Sequence, residues 1–121
     1  ALKAGIRSPG GLAFSPSGEL YIAQEDSHRI RKINKHGTIS TFAGTGVGGF
    51  RGNNEPAFLS QLKNPYRMVF DKKGSLYFTD RDNNRIRKID MEGTISTVAG
   101  HSNIGWMQDG LKVQITVQNF P

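Results

Sequence analysis

The sequence has no cysteine, one tryptophan, no Asn-x-Ser/Thr sequon, no long apolar run and fewer acidic than basic residues, 10 against 16. Without cysteine there is no disulfide framework, thiolate zinc site or cysteine nucleophile, and the redox compartment leaves no mark. No apolar stretch approaches the roughly 18 residues a membrane-spanning helix needs. The start at Ala1 shows neither an initiator Met nor a basic-then-apolar signal, so a soluble and trimmed chain is expected. The missing sequon lends no support to a glycosylated surface. The net charge of +6 over 121 residues is a modest excess that a solvated surface can carry, and it names no ligand. Cellular localisation is unmarked, and the length suits one ordinary domain.

What is present is an internal repeat. A shift of 56 positions places Pro9 on Pro65, Phe14 on Phe70, Gly18 on Gly74 and Leu20-Tyr21 on Leu76-Tyr77. It also places Arg29-Ile30-Arg31-Lys32-Ile33 on Arg85-Ile86-Arg87-Lys88-Ile89, and Gly37-Thr38-Ile39-Ser40-Thr41 on Gly93-Thr94-Ile95-Ser96-Thr97. The chain holds two periods and nine further residues, with Ala1 to Pro9, Ala57 to Pro65 and Val113 to Pro121 in equivalent phase. That phase predicts a piece excised from a larger repeat array.

Within one unit no helical period survives. Leu12 to Phe14 and Leu20 to Ala23 are short apolar runs separated by the turn Ser15-Pro16-Ser17-Gly18, the signature of buried strands. Arg29 to Ile33 is a more polar strand nearer a rim, and Ile39 to Phe42 is a β-branched fourth strand after a turn at Asn34 to Gly37. An all-β fold follows, with four antiparallel strands per unit. Units that bury their faces only against the next copy are β-propeller blades.

Two segment pairs carry a family resemblance: Gly18-Glu-Leu-Tyr-Ile-Ala with His28-Arg-Ile-Arg-Lys-Ile, and Gly74-Ser-Leu-Tyr-Phe-Thr-Asp with Asn84-Arg-Ile-Arg-Lys-Ile. With the closing Gly-Thr-Ile-Ser-Thr-Phe/Val-Ala-Gly segments they resemble NHL repeats. The connection Gly44 to Pro65 is similar to the long inter-blade linker of one NHL subtype. Gln24 departs from the family's usual Asp, which is present at Asp80, and the second linker, His101 to Pro121, has lost most of its glycines. The resemblance implies two blades of a six-bladed ring acting as a rigid platform. Residues 1–8 would end a preceding linker, 9–64 form the first blade with its long linker, 65–120 the second, and 121 begin the next. Two blades cannot close, so the remaining blades come from the same parent chain or from homo-oligomer copies. An isolated pair would expose open faces and strand edges.

Three motifs invite chemistry and fail on detail. Gly44-x-Gly46-x-x-Gly49 matches a dinucleotide fingerprint, yet the following Gly-Phe-Arg-Gly-Asn-Asn-Glu-Pro cannot open the phosphate-binding helix. Asp80-x-Asp82-x-Asn84 starts like a calcium loop, but Arg85 stands where glycine is needed and Met91 at the twelfth position, so Asp80 and Asn84 are expected to organise a hairpin turn. His28, His36 and His101 show no metal-ligand spacing. No catalytic residue, metal ligand or cofactor site is expected.

The remaining candidates for partner binding are Arg29, Arg31, Lys32, Arg81, Arg85, Arg87, Lys88 and Trp106. The repeated cations could meet RNA phosphates, or pair with turn carboxylates such as Asp26 and Asp82 while their stems cover apolar surface. Trp106, aligned with Phe50, is either an interface anchor or a buried linker residue. Fold does not choose function. The leading class is a non-catalytic scaffold presenting loops to a protein partner, with the Gln24–Ser27 and Arg81–Asn83 turns as contact regions. The alternatives are an RNA-binding propeller with a basic face, and part of an enzyme or sensor whose active residues lie outside this segment.

Overall fold

A computed structural model of the chain describes residues 9–100. The four strands of the first unit are β1 (Pro9–Phe14), β2 (Leu20–Gln24), β3 (Arg29–Ile33) and β4 (Ile39–Ala43), hydrogen-bonded in chain order as an antiparallel meander. The linker contributes a two-residue strand, β5 (Glu55–Pro56), and a single 3-10 turn over Ala57–Leu59. The second unit follows as β6 (Pro65–Phe70), β7 (Leu76–Asp80), β8 (Arg85–Ile89) and β9 (Thr94–Gly100). Its sheet has five strands in the order β5-β9-β8-β7-β6, because β5 pairs with β9 through Glu55 opposite Ile95.

Turn chemistry sets the hairpins. Asn34 Oδ1 accepts the His36 and Thr38 amides at 2.9 and 3.0 Å, and Asp90 Oδ1 accepts those of Glu92 and Thr94 at the same distances. Each side chain replaces the ladder bonds lost at the turn. Gly37 and Gly93 close these turns at φ +82° and +85°, a left-handed conformation that costs glycine nothing.

The two sheets are stacked β-propeller blades. Register puts Leu12, Phe14, Ile22 and Arg31 on one face of the first blade, and Tyr21, Ile30 and Lys32 on the other. The second face packs on the second blade. Tyr21, Ile30 and Ala43 join Leu76, Phe78, Ile89 and Ile95 in one buried cluster, with Met68 and Phe70 against it. The Tyr21 ring meets Phe42 and Phe70 edge-on, both at a centroid distance of 4.8 Å. Edge-to-face pairs of this kind add about 0.5–1.5 kcal/mol to area burial. Inner strands β1 and β6 run close enough that a methyl at Gly11 would overlap the Tyr66 carbonyl.

The linker differs from a free connection. Ala57 and Leu62 lie inside the inter-blade cluster, and Ala57 N–H donates to Gly93 O at 2.8 Å. Gly44 through Gly49 open no helix, so the dinucleotide reading lacks its phosphate cradle.

Candidate interaction surface

The repeated arginines do different work in the two blades. Arg87 on β8 is fully buried. Its guanidinium donates to Asp80 Oδ2 and to the Gln61 carbonyl, each at 3.3 Å, to the Arg51 carbonyl at 3.4 Å, and to Gly52 O. It therefore clamps the linker onto its own blade. Burial draws the Arg87 guanidinium below its ordinary pKa, with the Asp80 charge opposing that shift. Burial likewise raises the Asp80 carboxyl, against the pull of Asn83, the Lys63 amide and Arg87. Neither ion is comfortable without the other. Phe50 caps the cluster, with the Arg85 and Arg87 guanidinium carbons 3.8 and 4.6 Å from its ring centroid, within cation–π range.

Arg87 therefore presents no exposed surface to a partner: Asp80 and linker carbonyls take up its Nη1 and Nη2 donors, while its buried Nε has no partner among the described residues. Its carboxylate partner is Asp80 rather than a turn residue. Asp80 serves both turn and linker: its Oδ2 accepts the side-chain amide of Asn83 in the β7–β8 turn at 2.8 Å, and its Oδ1 accepts the Lys63 amide from the linker at 2.7 Å. The turn itself is a 3-10 turn over Arg81–Asn83 that ends on Asn84 in the left-handed region.

The other candidates are spread out. Arg29 donates to Thr45 O at 3.3 Å, Arg31 to Gln24 Oε1 at 3.2 Å, and Lys32 pairs with Glu19 at 3.4 Å. Arg85 donates to Asn83 O at 3.0 Å, and Lys88 sits over the Tyr77 ring. Trp106 lies outside the described residues.

A cluster that repeat matching does not reveal gathers where the linker and the β2–β3 and β7–β8 turns meet. Arg81, with 52% of its side chain exposed, binds Glu25 of the neighbouring blade at 2.8 Å. The Tyr66 ring carries Arg67 and Arg81 at 5.1 and 5.2 Å. Asn64 donates its side-chain amide to Asp82 and its backbone N–H to His28 Nδ1, the latter at 3.2 Å. Tyr66 falls on Gly10 and Arg81 on Glu25 in the 56-residue register, so identity matching passed over Tyr66, whereas Arg81 was a candidate through its turn. The charge reversal at one repeat position was the available signal, since equivalent turns of adjacent blades are neighbours.

At the opposite end, a cleft of about 410 Å³ opens between the blades, walled by Tyr21, Phe42 and Phe70 with Lys32, Lys72 and Lys73 among its polar lining. Among the described residues no group of three His, Cys, Asp or Glu side chains could hold a metal, and no helix there is long and apolar enough to cross a membrane.

No family model matches the chain. The Arabidopsis thaliana chloroplastic protein SUPPRESSOR OF QUENCHING 1 is 29% identical over 87 residues, 71% of this chain and 8% of that protein. Human Teneurin-4 is 34% identical over 102 residues, 74% of this chain and 4% of its own length. The chain thus spans less than a tenth of the curated relatives it matches. Among solved structures, a Bacteroides thetaiotaomicron protein of unknown function superposes with a TM-score of 0.66 at 23% identity, over 74% of this chain and 23% of that one. Streptogramin B lyase gives 0.59 at 17%, over 78% and 27%, and an auxiliary nutrient binding protein from Bacteroides ovatus gives 0.61 at 23%, over 74% and 25%. These neighbours are β-propeller proteins, and at such identities they establish the fold alone.

Proposed function

We propose that the chain is two consecutive NHL-type blades of a six-bladed propeller, blade 1 at 9–64 and blade 2 at 65–120, serving as a non-catalytic scaffold whose end face binds a protein. The 56-residue repeat supports the NHL reading, as does similarity to Teneurin-4, which contains NHL repeats. The missing blades come from the same parent chain or from further copies of it.

The observation that carries the protein-binding reading is the Tyr66 cluster. Arg67 and Arg81 flank an aromatic ring, while Glu25 and Asp82 balance their charge within the same patch. Tyrosine and arginine are enriched at the energetic centres of protein interfaces. An RNA face needs an uncompensated run of cations, and here Arg87 is buried while Lys32 and Arg81 are paired.

Partner capture and RNA binding by the full chain test this. A protein cross-linked to the Tyr66 patch, retained at moderate salt and lost in Tyr66→Ala, is expected. Submicromolar binding of a single-stranded RNA oligonucleotide that collapses steeply with salt would overturn the protein reading in favour of RNA.

A further inference from the structure

The cleft between the blades, at the end away from the Tyr66 patch, has an aromatic floor. Tyr21 meets Phe42 and Phe70 edge-on, and all three rings line the opening of about 410 Å³. Clefts of about 300–1,000 Å³ with apolar walls and a few polar groups are the size of small-molecule sites. Both walls belong to described blades, so this space lies inside an inter-blade boundary that is complete.

Charge in the cleft is uneven. Lys32 is answered by Glu19 at 3.4 Å, and its Nζ lies 5.9 Å from the Tyr21 ring centroid. Asp90 is committed to its own turn, where its Oδ1 accepts two backbone amides. Lys72 and Lys73 also line the cleft and are exposed, yet neither pairs with a carboxylate among the described residues. Asp71 is spent on fixing the turn that carries them, its Oδ1 accepting the Lys73 and Ser75 amides at 3.0 and 2.9 Å. Three lysines against two carboxylates, Glu19 and Asp90, leave the lining with a positive excess that suits a monoanion.

The repeat separates what the fold needs from what is particular to this boundary. Tyr21, Lys32 and Phe70 recur as Tyr77, Lys88 and Phe14 in the 56-residue register. Lys72 and Lys73 instead fall on Pro16 and Ser17, and Phe42 on Val98. Two unpaired cations and an added ring therefore converge on one cleft without being required by the blade pattern. Met91, exposed at the rim, lies over Gly74, where an added Cβ would come within 3.2 Å of its Cγ. An unbranched thioether there adapts readily to an apolar guest.

We infer that this cleft is a binding site for a small organic anion, a carboxylate on a flat apolar body, with its rings against Tyr21, Phe42 and Phe70 and its charge at Lys72 and Lys73. Burial of the flat body supplies affinity, and charge-assisted contacts to the ammonium groups fix its orientation. Burial raises the Tyr21 hydroxyl above its ordinary pKa, against the pull of Lys32, so the phenol adds no negative charge to the floor at neutral pH. The inference uses the stacked blades alone and is independent of the protein-binding reading at Tyr66.

Methyl NMR of the full chain, labelled at methionine and titrated with naphthoate or with neutral naphthylmethanol, tests it. The Met91 signal, identified by its loss in Met91→Leu, should shift with naphthoate. Met68, packed against the core cluster, should hold its position and reports that the fold is intact. Naphthylmethanol should bind about tenfold more weakly than naphthoate. Lys72→Gln combined with Lys73→Gln should weaken naphthoate about tenfold and leave naphthylmethanol unchanged, as expected for lost contacts to a charge. A Met91 signal that answers both probes equally, or naphthoate binding indifferent to the double substitution, overturns the anion site. No Met91 shift at millimolar naphthoate overturns the cleft as a site altogether, while the Tyr66 patch is judged by its own experiment.

Discussion

The two blades share the run Arg-Ile-Arg-Lys-Ile at the same strand position, yet the second arginine of that run is half-buried in blade 1 and fully buried in blade 2. The same holds at the inner strand, where Phe14 stands 68% exposed and Phe70 lies against the Tyr21 ring. Local sequence is nearly constant between these sites, so the difference comes from what packs over each one. Blade 2 is covered by blade 1 and by the linker 44–64. In this fold a strand residue is made into core by the neighbouring unit, as expected of a stack in which each repeat touches only its neighbours.

That comparison predicts unequal costs for equal substitutions. Arg87→Ala should destabilise the chain by about 3–5 kcal/mol, because it strands buried Asp80 without its counter-ion. Arg31→Ala should cost less than about 1 kcal/mol, since its partner Gln24 is neutral and the side chain is only half-buried. Urea unfolding at low protein concentration checks the pair, and similar losses would break the asymmetry between blades. The apolar counterpart is smaller. Phe70→Ala should cost about 2–3 kcal/mol for a part-buried aromatic in a packed cluster, and Phe14→Ala within about 0.5 kcal/mol at an exposed position. If Phe14→Ala matched Phe70→Ala, blade 1 would already be covered on that face in solution.

Most of the fold was legible in the sequence, because it rests on features that survive repetition. The predicted strand at Arg29 to Ile33 is β3, and Asn34 and Asp90 cap the turns their spacing suggested. The linker was not legible. Its glycine-rich start offered only a dinucleotide-like spacing and a linker resemblance, while Ala57 and Leu62 become core and Glu55–Pro56 an edge strand only once blade 2 exists to receive them. The site was half legible for a related reason. Repeated arginines announced themselves as cations, but whether each faces solvent or carbonyl oxygens depends on the linker's path. Tyr66 was missed because its counterpart, Gly10, shares none of its chemistry.

The smallest expected effect sharpens the comparison at the blade boundary. Glu25 and Arg81 occupy one repeat position with opposite charge and meet at 2.8 Å across the two blades. With Arg81 half exposed and Glu25 21% exposed, solvent screening limits such a pair to about 0.2–1 kcal/mol. A double-mutant cycle of Glu25→Gln and Arg81→Gln should return a coupling in that range, shrinking as salt is raised past the Debye regime of about 0.1 M. The charge-swapped pair Glu25→Arg with Arg81→Glu should retain part of it. A coupling of zero would mean that Arg81 is held by Tyr66 and Asp82 within its own blade, leaving the turns of adjacent blades free to move apart when a partner docks.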